Sequence, residues 1–194
     1  MYMRFASRVL TVASLFALPG LASAAPQNAH TASTTLAVTA QVQQTCTIST
    51  VGDGLAFGIY DPVVANVSTA LNTTGQISVT CTKAGALSGA RSAAAMTLGI
   101  DNGVNVAGIQ RQMKGLAQGG FLPYDVYQPP NATPNTPCTY SGTRWTNVVG
   151  AGELTLTAAP NKLARVYNVC GTVAPGLDVP VDTYNDTLNA TLNF

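Results

Sequence analysis

Charged residues are scarce in this sequence. They make up 9% of the 194 residues, with a formal net charge of +1, whereas an ordinary soluble domain has about 25%. A protein that binds nucleic acid neutralises phosphates with clustered Lys and Arg side chains. The sequence has no such basic excess, so we expect no nucleic-acid partner.

Residues for catalysis or metal binding are also scarce. The single histidine, His30, lies in the N-terminal tail, and no two cysteines have C-x-x-C spacing, which argues against a zinc site. No G-x-S-x-G motif or paired carboxylates are visible, and Asp101, Asp178 and Asp182 lie next to turn residues that they are expected to cap. We therefore expect that the protein is not an enzyme and that it binds neither a metal nor a cofactor.

No apolar run is long enough to span a membrane as a helix, which takes about 20 residues. Near the N-terminus, Arg4 and Arg8 precede a short apolar run at residues 9–18. The A-x-A sequence of residues 22–24 follows this run. This pattern predicts a signal peptide over residues 1–24 and an exported chain. An N-terminal anchor helix is the alternative.

Alternation of apolar and polar residues dominates the rest of the chain, with Gly, Pro and Asn between the runs. No long stretch has the i, i+3, i+4, i+7 spacing of a helix. The alternating segments are residues 75–81, 96–100, 121–127, 154–156, 166–170 and 184–194. Many short strands separated by turn residues predict an all-β sandwich or barrel, and the Pro-rich residues 129–137 predict a loop.

Four cysteines lie beyond the predicted signal peptide, at Cys46, Cys81, Cys138 and Cys170. An even number of cysteines in an exported chain predicts two disulfides. The sequence by itself does not choose among the possible pairings.

An uninterrupted alternating segment follows the predicted signal peptide at residues 34–42. Leu36, Val38, Ala40 and Val42 fall on one face of it. This is a strong strand pattern at a terminus that is ordinarily expected to fray. The simplest interpretation is a first strand that pairs within its own sheet.

The last alternating segment, 184–194, ends in an apolar series of Leu188, Ala190, Leu192 and Phe194. An apolar strand with an uncovered edge invites pairing with another chain. Together with the N-terminal segment, this ending suggests strand exchange between subunits. An ordinary closed sandwich is the alternative.

Several segments together resemble the spore coat protein U domain family, whose best-understood members are subunits of archaic, Csu-type chaperone–usher pili. The resemblance runs from the first cysteine to the C-terminus. Its pieces, in order, are Cys46, LAFGIYDP at 55–62, GQISVTC at 75–81, RQM at 111–113, LPYDVY at 122–127, VYNVCGTVAPG at 166–176 and YNDTLNATLNF at 184–194.

The resemblance implies an immunoglobulin-like β-sandwich that lacks its last strand, which a donor strand from a neighbouring subunit completes. Residues 25–43 are then the donor-strand extension and residues 44–194 the pilin domain. The donor side chains are Leu36, Val38, Ala40 and Val42, and the acceptor-groove strand carries Leu188, Ala190, Leu192 and Phe194. The family's cysteine pair matches Cys46 and Cys81, and from what remains we infer a bond between Cys138 and Cys170.

The implied function is that of a structural subunit of an extracellular pilus that supports adhesion and biofilm formation. Its expected partners are identical or related subunits, a periplasmic chaperone and an outer-membrane usher, and it is expected to pass through the periplasm. One alternative is a spore-coat or matrix-type protein of the same fold. Another is a secreted carbohydrate-binding module using Trp145, Tyr140 and Tyr127, although aromatic residues on predicted strands more often belong to a core.

Overall fold

A computed structural model describes residues 30–83 and 96–194; the predicted signal peptide, residues 1–24, lies outside this part. The described residues form ten strands and no helix. The strands are β1 Cys46–Val51, β2 Leu71–Cys81, β3 Met96–Ile100, β4 Val106–Ala107, β5 Gln110–Gly115, β6 Phe121–Tyr127, β7 Leu154–Leu156, β8 Arg165–Val173, β9 Tyr184–Asn185 and β10 Ala190–Asn193.

The strands form two sheets in the compact unit of residues 41–194. The larger sheet has the order β1-β2-β8-β6-β5-β4, with β9 also paired to β5, and the smaller has the order β10-β3-β7. Every strand pair in the described part is antiparallel. The predicted all-β fold class, with its strands in two sheets, is confirmed.

The core consists of the inward-facing side chains of both sheets, as period-two alternation requires. Its members include Ile77, Val79, Leu98, Ile100, Leu122, Val126, Leu154, Tyr167 and Val173. Trp145 is fully buried among them, and its indole N–H donates a hydrogen bond to the Leu98 carbonyl at 2.7 Å. Trp145 therefore presents no surface for stacking on a sugar, which contradicts that alternative for this residue.

A buried arginine connects the two sheets. The side chain of Arg111, on β5, has no exposed surface and donates hydrogen bonds to the carbonyl oxygens of Asp101, Ile100 and Trp145 at 3.0, 3.1 and 2.6 Å. Ile100 is the last residue of β3, in the other sheet. Buried carbonyl groups need hydrogen-bond partners, and this guanidinium supplies one to each of three backbone oxygens, linking β5 to the end of β3 in the other sheet.

Both inferred disulfides are present. The Cys46–Cys81 bond joins β1 to β2, and the Cys138–Cys170 bond joins the loop of residues 129–137 to β8. The loop is held further because Asn168 Nδ2 donates to the Thr136 carbonyl at 2.8 Å. The loop thus covers the face of β8 that points away from the core.

Two predicted strands differ from the structure. Residues 34–42 have no strand assignment, and residues 30–45 are all exposed. An extended segment is stable only when its backbone finds partners, so the alternating pattern does not form a strand in the single chain. The predicted strand at 184–194 is divided into β9, which pairs with β5, and β10, which pairs with β3. The chain crosses between the two sheets at residues 186–189.

Candidate functional site

An apolar groove of ≈ 1090 Å³ lies between two rims of the sandwich. Residues 53–63 form the first rim and residues 178–190 the second. The floor consists of core side chains from both sheets, among them Ile77, Ile100, Met113, Leu122, Tyr124 and Val169. The groove therefore reaches the hydrophobic core from one side, and its floor side chains are at most 9% exposed.

The first rim lies close to the larger sheet because two glycines leave room for it. An added Cβ at Gly171 would lie 2.9 Å from Leu55 and 2.9 Å from Phe57, and one at Gly75 would lie 2.7 Å from the Gly54 carbonyl oxygen. The ring of Phe57 also packs edge-on against Tyr124, with centroids 5.8 Å apart. These contacts fix the position of the first rim above β2 and β8.

We expect Gly75→Ala to displace the first rim, because the added methyl group meets a backbone oxygen that cannot rotate away. Overpacking of this kind costs about 1–3 kcal/mol of unfolding free energy, measurable by urea denaturation. Ser78→Ala, on the other face of the same strand, is the matched control and should change stability by less than about 0.5 kcal/mol. Equal effects of the two substitutions would contradict this account of the rim.

Both rims leave backbone groups without strand partners. In the described part of the chain, residues 55–60 make no hydrogen bond from backbone to backbone, and β10 is the edge strand of its sheet, paired only with β3. An edge of this kind is a template for one more strand. The groove therefore offers apolar side-chain space below and unpaired backbone groups along its sides.

Asp186 fixes the second rim where the chain crosses between the sheets. Its Oδ1 accepts hydrogen bonds from the backbone N–H groups of Val104 and Asn105 at 3.0 and 3.1 Å. Its Oδ2 accepts one from the Tyr124 hydroxyl at 2.8 Å. Burial, followed by this hydrogen bond to Asp186, raises the pKa of Tyr124, so the phenol stays protonated and continues to donate.

A second carboxylate holds the start of β10. Asp101 Oδ1 accepts from the Asn189 N–H at 2.9 Å and from the Gly103 N–H at 3.0 Å, and its Oδ2 accepts from Asn189 Nδ2 at 2.8 Å. Burial opposes ionisation of Asp101, but the hydrogen bonds from Asn189 and Gly103 outweigh it and the pKa lies below its ordinary value. The sequence predicts that Asp101 caps a turn, and in the structure it also holds Asn189, the residue before β10.

This depressed pKa predicts acid sensitivity. A carboxylate with a lowered pKa in the folded state stabilises the fold above its unfolded pKa, here 3.8, and loses that contribution as the pH falls through the folded value. We expect the urea concentration at the unfolding midpoint to decrease as the pH is lowered below 3.8. The Asp101→Asn variant should be less stable at neutral pH, and its midpoint should decrease less on acidification. Parallel pH profiles for the two proteins would contradict the role of Asp101.

The predicted acceptor residues are only partly in the groove. Leu188 and Ala190 line it, whereas Leu192 packs against the core and Phe194 is exposed. Of the predicted donor residues, Leu36 and Val38 are each 86% exposed and Val42 is 83% exposed. The donor and acceptor assignments remain predictions.

Sequence reasoning did not assign the floor and the first rim to the site. The segment that forms the first rim carries the LAFGIYDP motif at residues 55–62. This motif supports the family resemblance, but the sequence does not show that it lines a groove. Leu55 and Phe57 alternate like residues of a strand. Only the absence of a backbone partner identifies them as one side of a groove.

Comparison with known protein families finds that the spore coat protein U domain matches residues 32–191. The chain belongs to the spore coat protein U domain family. Protein U of Myxococcus xanthus is 34% identical over 191 residues, which covers 94% of this chain and 96% of that protein. The family resemblance drawn from the sequence is thereby confirmed.

A similar solved structure is that of the CsuC–CsuE chaperone–tip adhesion subunit pre-assembly complex from archaic chaperone-usher Csu pili of Acinetobacter baumannii. The TM-score is 0.48 and the sequence identity 19%, over 79% of this chain. This member of the spore coat protein U domain family spans 40% of the length of that chain.

No helix long and apolar enough to cross a membrane occurs among residues 30–83 and 96–194. The same residues contain no cluster of three or more His, Cys, Asp or Glu side chains that could hold a metal ion. The groove is thus the feature of the described chain on which a functional proposal rests.

Proposed function

We propose that this protein is a structural subunit of an extracellular pilus, polymerised by donor-strand complementation. The observation that supports the proposal is the open apolar groove beside the edge strand β10, in a chain whose N-terminal segment alternates in the same way as a strand yet is exposed. The N-terminal residues 32–43 of one copy enter the groove of the next copy. The protein is not an enzyme.

Side chains and backbone both contribute to the proposed joint. Leu36, Val38, Ala40 and Val42 have the period-two spacing that places them in successive positions along a groove. Burying an aliphatic side chain contributes about 1.5–3 kcal/mol for Val, Leu or Ile. The combined burial free energy of these side chains, together with hydrogen bonds to the unpaired backbone edge of β10, makes the joint hard to reverse. A stable fibre requires this.

Assembly through this groove requires help, because an open core exposes apolar surface that invites aggregation. A periplasmic chaperone that covers the groove meets this requirement. An outer-membrane usher then replaces the chaperone with the donor strand of the next subunit. The protein is accordingly exported, with residues 1–24 as the signal peptide, and is extracellular in the fibre. Adhesion and biofilm formation follow from a surface fibre.

The test is electrophoresis of fibres in SDS without reducing agent and without boiling. A strand buried in a groove should survive gentle SDS treatment, so we expect a ladder of multimers that collapses to a single band on boiling. A single monomer band before boiling, from material that is polymeric in the microscope, would contradict donor-strand complementation.

A coat or matrix protein of the same fold is the second candidate, and the family description itself favours it. In this case the subunits polymerise, or fill their own grooves, without an usher. Expression of the gene with and without neighbouring chaperone and usher genes separates the candidates. Surface fibres that depend on those genes favour the pilus, and usher-independent assembly favours the coat.

A further inference from the structure

The connection between β3 and β4 contains the only Asn-Gly pair of the sequence, Asn102–Gly103. Asparagine is a chemically labile residue. It is most labile before glycine, because a residue without a Cβ lets its backbone nitrogen approach the preceding side chain closely. Asn102 is half-buried, so water reaches it. A reactive pair of residues therefore lies in a segment that contacts the second rim of the groove.

The second rim itself requires the glycine. Gly103 has a φ of +83°, in the left-handed region, and an added Cβ would overlap the carboxylate of Asp186. Asp186 lies there because its Oδ1 accepts hydrogen bonds from the N–H groups of the next two residues, Val104 and Asn105, at 3.0 and 3.1 Å. The side chain of Asn102 takes part in none of these bonds. The Asn-Gly pair thus arises where the rim permits only glycine at the second position.

Asp101 holds the nitrogen that would react. Its Oδ1 accepts the Gly103 N–H at 3.0 Å, and the same oxygen accepts the Asn189 N–H at 2.9 Å. Attack by the Gly103 nitrogen requires that it lose its proton, and an adjacent carboxylate opposes the formation of another negative charge. The connection must therefore open locally before Gly103 can react.

We infer that Asn102–Gly103 is a self-modification site of this protein and that Asp101 guards it. In the reaction, the Gly103 nitrogen forms a bond to Cγ of Asn102, and the side-chain amino group leaves as ammonia, which carries away the proton of the Gly103 nitrogen. A cyclic succinimide results. Water then adds to one of its two carbonyl carbons and opens the ring, which yields either aspartate or isoaspartate at position 102. The net reaction consumes water, releases ammonia and involves no oxidation or reduction.

The isoaspartyl product affects the second rim. In this product the main chain passes through the side-chain carbon of residue 102, so a methylene group is added to the backbone just before Gly103. The N–H groups of Val104 and Asn105 are then displaced from Asp186, which keeps only its other bonds, such as that from the Tyr124 hydroxyl at 2.8 Å. The rim is held less firmly. Under the proposed function, on which this last step alone rests, a modified subunit is a poorer acceptor of a donor strand.

The test follows Asn102 in the purified full chain during incubation in mildly alkaline buffer, once folded and once unfolded in urea. Peptide mapping by mass spectrometry measures the loss of asparagine, and labelling with isoaspartyl methyltransferase measures isoaspartate. We expect conversion in the folded chain to be roughly ten-fold slower, since it requires local opening. Asn102→Gln should give no product at this position, because the longer side chain closes a less favourable ring.

Folded Asp101→Ala should convert faster than the folded unsubstituted chain. Because Asp101 also holds Asn189, the matched control is Asn189→Ala, which removes the side-chain bond to Asp101 Oδ2 but leaves the Gly103 bond in place. This control should convert more slowly than Asp101→Ala. Urea denaturation verifies that both variants are folded, and the comparison of folded with unfolded unsubstituted chain holds without either of them.

Each part of the inference has its own contrary result. Equal rates in the folded and unfolded unsubstituted chain would overturn the guarding, and slower conversion in Asp101→Ala would overturn the role of Asp101. No detectable conversion in the folded chain, over an incubation that converts the unfolded chain completely, would overturn the site. An isolated isoaspartyl form with the urea midpoint of the unmodified chain would overturn the effect on the rim. These measurements use the free chain, so they fail or succeed separately from donor-strand complementation, which the SDS ladder tests.

Discussion

Val38→Asp is expected to abolish the donor activity of the subunit while leaving its fold intact. The substitution places a carboxylate in an apolar groove with no partner. Burying an unpaired charge costs several kcal/mol, more than the roughly 1.5–3 kcal/mol that one aliphatic contact supplies. Val38 itself is exposed in the single chain, so both disulfides should form and export should be unchanged.

The measurement is the SDS-resistant ladder of fibres from cells producing this variant. Because the groove of the variant is unchanged, it can accept a strand but not donate one, and mixing it with the unsubstituted subunit should shorten the fibres. Thr39→Asp is the matched control, since Thr39 points away from the face shared by Leu36, Val38 and Val42. If both substitutions act alike, or neither reduces assembly, strand exchange through this face is wrong.

Moving the donor segment to the other end of the chain should produce a stable monomer. In this variant residues 32–43 are removed from the N-terminus and attached after Phe194 through a short Gly/Ser linker. The C-terminus follows β10 at the end of the sandwich that carries the Cys46–Cys81 bond, so the attached segment can turn back and run antiparallel to β10 in its own groove. The groove is then filled within one molecule.

We expect the relocated strand to raise the unfolding free energy by several kcal/mol over residues 44–194 alone, since each buried Val or Leu contributes about 1.5–3 kcal/mol. Urea denaturation measures this difference, and size-exclusion chromatography should show a monomer that forms no ladder. The relocated strand with Val38→Asp is the control and should lose most of the gain. A relocated strand without stabilising effect would contradict insertion beside β10.

The sequence could predict the strands whose two faces meet different surroundings. In β2, β6 and β7 the inner residues are buried and the outer ones are not, and this asymmetry is what period-two alternation records. The pattern is less informative in β8, where Asn168 and Cys170 on the second face are also buried. The 129–137 loop and the Cys138–Cys170 bond cover that face, and the loop composition gave no indication of where it would pack.

The groove could be predicted only in outline. Its C-terminal side followed from the apolar alternation of the last residues, but the predicted continuous strand is broken at residues 186–189. The break arises from hydrogen bonds made by Asp186 and Asn189 with residues more than 80 positions away in the chain. Local alternation contains no information about such distant partners.

The sequence by itself determined the all-β class, the two apolar alternating termini and the membership of a known family, because these depend on local periodicity and on short motifs. Only the tertiary structure decided which edge of the sandwich is open. An edge is open when no other segment reaches it, and this depends on where the first rim lies above Gly75 and Gly171 and on which strand β10 pairs with. The position of the first rim and the pairing partner of β10 both depend on long-range packing. Several segments share the same alternating pattern, so the pattern alone does not determine which of them become neighbours.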